Sequence, residues 1–303
     1  MRPAAQTLTD YATQSTFTDP GLHAALYDEL PTDVGELTAV VRNLLIHYRG
    51  GGIQFSGERL DEIDHRWIEA ALTTDQKRNG TPLATPREPA DRIVGCCRDY
   101  TLLTVSALRH QGIPARSRIG FAVYFAEGFN YDHVVAEYWN GDRWVMVDAQ
   151  LDPADGRVFD SLDMPTGPFL SAAEVWQRIR AGEVDADDFG VDPGLPIRGS
   201  WFVRNYVFLQ LAHLQRDEVL LWDGWGAMAG PDEPADLDLS DEIATLLIAA
   251  DAGDESATEE LATRYAKDPN LRPDNRVQMH SPTGAAPVWI DLTTRQPIDA
   301  RGN

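Results

Sequence analysis

Lysine is nearly missing from this 303-residue chain: of 26 basic residues only Lys77 and Lys267 are lysines, and 48 acidic residues leave a formal charge of −22. A surface of that sign is repelled by phosphate backbones and anionic lipid headgroups, because counterion release would run the wrong way, so nucleic acid and membrane are excluded as partners. The shortage of lysine fits either a GC-rich genome or a salt-adapted proteome, and composition does not separate the two. Long hydrophobic runs are absent as well, none approaching the roughly 18 residues of a membrane span. The N-terminal stretch MRPAAQTLTDYATQSTFTDPG has no apolar segment behind its arginine and does not read as a secretory signal. A soluble cytoplasmic protein is expected. Cysteine is the scarcest informative residue, with two in the chain, Cys96 and Cys97, side by side. Neighbouring cysteines bridge only through a strained ring and no third exists to pair with either, which excludes a disulfide-stapled scaffold. The seven histidines, His23, His47, His65, His110, His133, His213 and His280, fall singly, with no pair at metal-ligand spacing near the cysteines. Neither a metal nor a cofactor is expected.

What is present is the material of a large core: 43% hydrophobic residues and eight tryptophans. Val34, Leu37, Val41, Leu44 and Leu45 recur at helical spacing between Thr32 and His47, ahead of Gly50-Gly51-Gly52. A second helical pattern covers about Ser56 to Leu72, and a Pro- and Gly-bearing loop covers 79–90. Cys97 to Gln111 reads as a buried helix stopped by Gly112 and Pro114. Three extended runs follow, Arg116–Phe125, Val134–Trp139 and Arg143–Asp148, the last two separated by the hairpin dipeptide Asn140-Gly141. Beyond Asp152 the chain returns to loops and helices, including Ala172–Arg180 and Trp201–Arg216. The stretch 231–242, PDEPADLDLSDE, reads as a solvated acidic connector.

The two thiols allow two readings: a packed pair of small hydrophobes, or one buried cysteine beside one reactive one. A cysteine in the first turn of a buried helix faces the positive end of the macrodipole, where thiol pKa values fall from about 8.5 into roughly the 3.5 to 7.5 range. Cys97 is so placed. A two-residue Asn140-Gly141 hairpin would oppose Trp139 to Asp142, Glu137 to Trp144 and His133 to Asp148, with Cβ atoms about 4.5 to 5.5 Å apart. In that register Asp148 can hold one tautomer of His133. Asp132 and Asp152 are the substitutes if the register slips. Asp99 is expected to satisfy the helix N-terminus, Arg116 to anchor a strand by an ion pair, His110 to face the helix C-terminus, and Trp222 and Trp225 to pack in the core.

GCCRDYTLLTVSALRHQGIPARSRIGF, then DHVVAEYW, then RWVMVDAQLD, resembles the core of the transglutaminase-like superfamily over residues 95 to about 152. The resemblance implies Cys97 as nucleophile, His133 as base and Asp148 as orienter, with Cys96 in the variable place before the nucleophile. It implies an α+β, papain-like fold, the nucleophile helix packed on an antiparallel sheet, with helical extensions at both ends. The expected organisation is a helical flank at 1–90, the catalytic core at 91–165, and a mostly helical extension at 166–303 packed with the core as one unit. TDPG at 18–21 and WDGWG at 222–226 suggest a bacterial full-length type. Calcium is not implied, since no carboxylate loop has the spacing for it.

The implied chemistry is attack of the Cys97 thiolate on an amide or thioester carbonyl, with acyl transfer to an amine or hydrolysis. The Cys97 backbone N–H would be one oxyanion donor. The expected substrate is a peptide, a protein or a small amide or acyl compound. A peptidase or amidase of the same fold is the alternative within this chemistry, and a catalytically silent binding or scaffold protein is the alternative outside it. The intact Cys-His-Asp set argues against the silent one.

Overall fold

The chain is described over residues 5–299 in a computed structural model. It divides into two units interleaved in sequence, one from Thr7–Ser117 and Val134–Pro165, the other from Arg118–His133 and the chain from Thr166 onward. Each has its own helices and strands, and the architecture is α+β.

The first unit holds α1 (Leu8–Tyr11), α2 (Val34–Leu44), α3 (Ile68–Arg78) and α4 (Cys97–His110). Asp33 caps α2, its carboxylate accepting the Glu36 N–H at 3.0 Å. The helical pattern expected to reach His47 stops at Leu44, because Leu45–His47 becomes strand β1 and pairs in parallel with β2 (Ile93–Gly95). Backbone pairing to a strand almost fifty residues away overrides the local period. The run expected over 56–72 also breaks: a 3-10 turn covers Gly57–Asp64, and the chain is extended at Trp67 before α3 begins. Helix α4 begins at the expected Cys97 and ends at His110, one residue short of the expected Gln111. It ends where Gly112 takes a φ of +76° and the Ile113 N–H reaches back to the Leu108 carbonyl at 2.9 Å, the αL termination that glycine favours.

Ion pairs stiffen this unit from inside. Arg87, 5% exposed, grips Asp75 through Nε–Oδ1 at 2.7 Å and Nη2–Oδ2 at 2.8 Å, with Asp75 fully buried. Replacing Arg87 by methionine leaves that carboxylate without its cation and is expected to cost about 3 to 5 kcal/mol in urea unfolding. Adding Asp75→Leu should recover much of the loss; a double variant no more stable than Arg87→Met would show that the pair's charge is not the cause.

Strands β3 (Ala115–Ala126) and β4 (Phe129–Trp139) each begin in one unit and end in the other. In the first unit β4 pairs antiparallel with β5 (Trp144–Val147), and here the register departs from expectation. Trp139 opposes Trp144 and Glu137 opposes Met146, around a four-residue loop rather than a two-residue turn. The reason is the Asn140 side chain, whose Oδ1 accepts the N–H groups of both Asp142 (3.0 Å) and Arg143 (2.9 Å), closing an Asx-type turn before Gly141 takes its φ of +101°. Continued by one residue, this register sets Val135 opposite Asp148. The direct His133–Asp148 opposition is therefore corrected.

The second unit carries β6 (Phe169–Ser171) and β7 (Phe189–Gly190), with α5 (Ala172–Arg180), α6 (Ser200–Leu214), α7 (Leu237–Asp251) and α8 (Glu255–Lys267). β6 lies antiparallel to β3, Gly120 opposite Ser171, and β7 runs parallel to the start of β4, Asn130 opposite Phe189. At Gly120 a Cβ would stand 2.0 Å from the Leu170 carbonyl oxygen, so only glycine admits that approach. The acidic stretch expected as a connector is partly helix: Asp236 accepts the Leu239 N–H at 3.0 Å and starts α7. The chain closes on β9 (Arg276–Met279), β10 (Val288–Asp291) and β11 (Gln296–Ile298), which with β8 (Asp223–Gly224) form a sheet of order β11-β10-β9-β8. Among the described residues no helix is long and apolar enough to cross a membrane.

Candidate active site

Helix α4 begins at Cys97, with Cys96 as its N-cap residue. Asp99 folds back so that its Oδ2 accepts the Cys96 N–H at 2.8 Å, the role expected of it. The fold-back needs Gly95, where a Cβ would meet that carboxylate oxygen at 2.8 Å. Arg98, 1% exposed, donates to the carbonyls of His65 (3.2 Å) and Arg66 (2.5 Å) and to Asp99 (3.0 Å), fastening the first turn of the helix to the segment before α3. Both thiols are buried, Cys96 at 3% and Cys97 at 5% exposure.

The two sulfurs are not equivalent. The Cys96 thiol is pushed well above its ordinary value, first by its hydrogen bond with Cys97 and then by burial and the Asp99 charge, against a backbone bond from Arg98. Burial and the nearby Asp99 charge both disfavour a thiolate at Cys96. Cys97 sits at the helix end where backbone N–H groups lack helical partners and the macrodipole favours negative charge.

Asp148, 1% exposed, follows β5 and stands in a tightly bonded loop. Its N–H donates to Ser161 at 2.9 Å, and its Oδ1 accepts the Gln150 N–H at 3.0 Å. Arg42, in the last turn of α2, donates from Nη1 to the Leu151 carbonyl at 3.0 Å. Burial pulls the Arg42 guanidinium below its ordinary value, while the charges of Asp152, Asp155 and Asp148 work the other way. Nothing in the amphipathic pattern of 34–45 separates Arg42 from an ordinary C-terminal helix cation, so sequence reasoning missed it.

His133, 1% exposed, belongs to the segment of β4 counted with the second unit, whereas Cys97 and Asp148 belong to the first. Its ring meets Phe125 edge to face, centroids 5.1 Å apart, and Tyr124 at 6.0 Å. These neighbours were also missed, although 121–131 places Phe121, Tyr124, Phe125, Phe129 and Tyr131 within eleven residues of chain just before the histidine. Of the two substitute carboxylates, Asp132 accepts the Tyr206 hydroxyl at 2.5 Å, and Asp152 caps a 3-10 turn through the Ala154 N–H at 2.9 Å. Arg116 pairs with Glu137 at 2.7 Å and lies over the Trp144 ring at 4.2 Å. His110 bonds Asp28 at 3.0 Å, and Trp225 is buried at 6% exposure.

Residues 58–149 match the family described as the transglutaminase-like superfamily, a segment that contains Cys97, His133 and Asp148 and spans under a third of the chain. That segment is thus similar to a transglutaminase-like core. No curated protein matches it. Among solved structures, a "putative cysteine protease" from Cytophaga hutchinsonii is similar over 53% of this chain and 44% of that one, with 15% identity and a TM-score of 0.34. This chain spans less than half the length of that protein.

Proposed function

We propose that the chain is a cysteine enzyme acting on an amide or acyl group, with Cys97 as nucleophile, His133 as general base and acid, and Asp148 as the residue that orients His133. The observation that carries the reading is the place of Cys97: it is the first residue of α4, at the helix end where backbone N–H groups lack helical partners and negative charge is favoured, with Cys96 outside the helix as its N-cap. The match to the transglutaminase-like superfamily over 58–149 supports the roles of all three residues.

In this mechanism the Cys97 thiolate attacks the carbonyl carbon, forming a C–S bond, while the oxyanion is received by the Cys97 N–H at the open end of the helix. Collapse of the intermediate breaks the C–N bond, and the His133 imidazolium gives its proton to the departing amine, leaving a thioester. An amine or water then attacks the thioester, His133 takes the proton of that nucleophile, and the product amide or acid leaves with the Cys97 thiolate restored. Partition between the two outcomes is measured by adding an amine acceptor and weighing the product.

Alkylation tests the nucleophile directly. Iodoacetamide at pH 6 is expected to label Cys97 about tenfold faster than a free model thiol, which is then almost wholly protonated. Fragment mass spectrometry should find the label on Cys97 and not on Cys96. A rate no greater than that of the model thiol would favour a silent binding protein.

A further inference from the structure

We infer that the aromatic residues packed against His133 form a substrate subsite, with Phe125 as its exposed floor, and that the acyl group presented to Cys97 carries an aromatic side chain; this rests on the proposed role of His133. Every ring involved lies within one unit, between Arg118 and His133. Phe125 meets His133 edge to face at 5.1 Å, Tyr131 at 6.1 Å and Tyr124 at 4.7 Å, and Tyr131 in turn meets Phe129 at 5.1 Å. His133 is 1% exposed whereas Phe125 is 36% exposed, so a single side chain touches both the imidazole and solvent. Among the described residues Phe125 is the one aromatic in the small set of large apolar side chains left this open. Val123, 37% exposed, stands two residues earlier on β3 and therefore on the same face of the strand.

Function supplies the reason for leaving these groups uncovered. An acyl group whose carbonyl lies within reach of His133 has its side chain beside the ring that His133 touches, and the open part of that ring is apolar. Aromatic groups pack edge to face or offset on such a ring, gaining more than area burial alone provides. A small acyl group such as acetyl leaves the ring uncovered and forgoes that contact.

Two chromogenic esters read the subsite: p-nitrophenyl acetate and p-nitrophenyl 3-phenylpropanoate, whose acyl groups differ by one benzyl group. The protein is expected to prefer the phenylpropanoate by about tenfold in kcat/KM relative to the two esters' uncatalysed reaction with a free thiol. Phe125→Ala should remove most of that preference and Phe125→Leu should keep part of it. The ratio is the readout because both esters use the same Cys97 and His133, so a disturbance of the imidazole cancels. No preference in the unaltered protein, or the same preference in Phe125→Ala, would overturn the subsite.

A binding arm needs no turnover. In Cys97→Ala protein, 3-phenylpropionamide at millimolar concentration should shift the His133 ring resonances saturably, propionamide should not, and adding Phe125→Ala should abolish the shift. Equal responses to the two amides, or no response to either, would overturn the subsite. Should neither ester be turned over while the aromatic amide still binds through Phe125, the catalytic reading fails and the subsite stands.

Discussion

Cys97→Ala is expected to abolish turnover of an activated ester or thioester, while Cys96→Ser keeps most of it. The difference follows from their places on α4: Cys97 is the first helical residue, and Cys96 is the N-cap, whose buried thiol is pushed well above its ordinary value. Serine at 96 keeps a small polar side chain at the N-cap, whereas alanine at 97 removes the atom that would carry the acyl group. Loss of a nucleophile in a triad of this kind costs as much as loss of the whole set, about 10⁶ in kcat where it has been dissected in a serine enzyme. The measurement is single-turnover acylation followed by intact-mass detection of the acyl adduct, with circular dichroism as the folding control. Equal loss from both substitutions in folded protein would remove the distinction between the sulfurs.

Asp148→Asn is expected to lower turnover by up to about 10⁴ with the fold intact, because an amide in the orienting role favours the wrong tautomer and no longer stabilises the imidazolium. Folding should survive the change. Among the bonds of Asp148 is one its Oδ1 accepts from the Gln150 N–H, and an asparagine carbonyl accepts the same bond. The neighbouring loop keeps its other tie, from Arg42 to the Leu151 carbonyl. Thermal melting should therefore move little while kcat falls. Near-normal turnover would take Asp148 out of the mechanism.

The parts of this protein legible in its sequence are those decided by short-range chemistry. Helix α4 could be bounded because its signals lie within a turn of its ends: Asp99 satisfies the N-terminus, and Gly112 accepts the left-handed conformation that ends the helix. The strands announced themselves by β-branched and aromatic runs, and α5 spans the expected Ala172–Arg180 because Ser171 and Glu174 form its capping box. Arg116 was readable as the anchor of β3, though its partner Glu137 was not.

Tertiary structure decided whatever depends on a partner distant in sequence or on a choice between near-equal local options. Leu45–His47 left the helix for a strand because β2 offered its backbone a ladder, and no residue within α2 encodes that offer. The hairpin register turned on Asn140, whose dipeptide with Gly141 suits a two-residue turn but whose carboxamide instead bound the next two N–H groups it could reach. Displacing the register moved the residue opposite Asp148 from His133 to Val135. Arg42 beside the Asp148 loop and Phe125 over His133 are likewise contacts that composition and period cannot state. Sequence named the candidate residue types and the helix that begins at Cys97; packing chose which ring the imidazole touches, because that depends on burial and on neighbours that only the folded chain supplies.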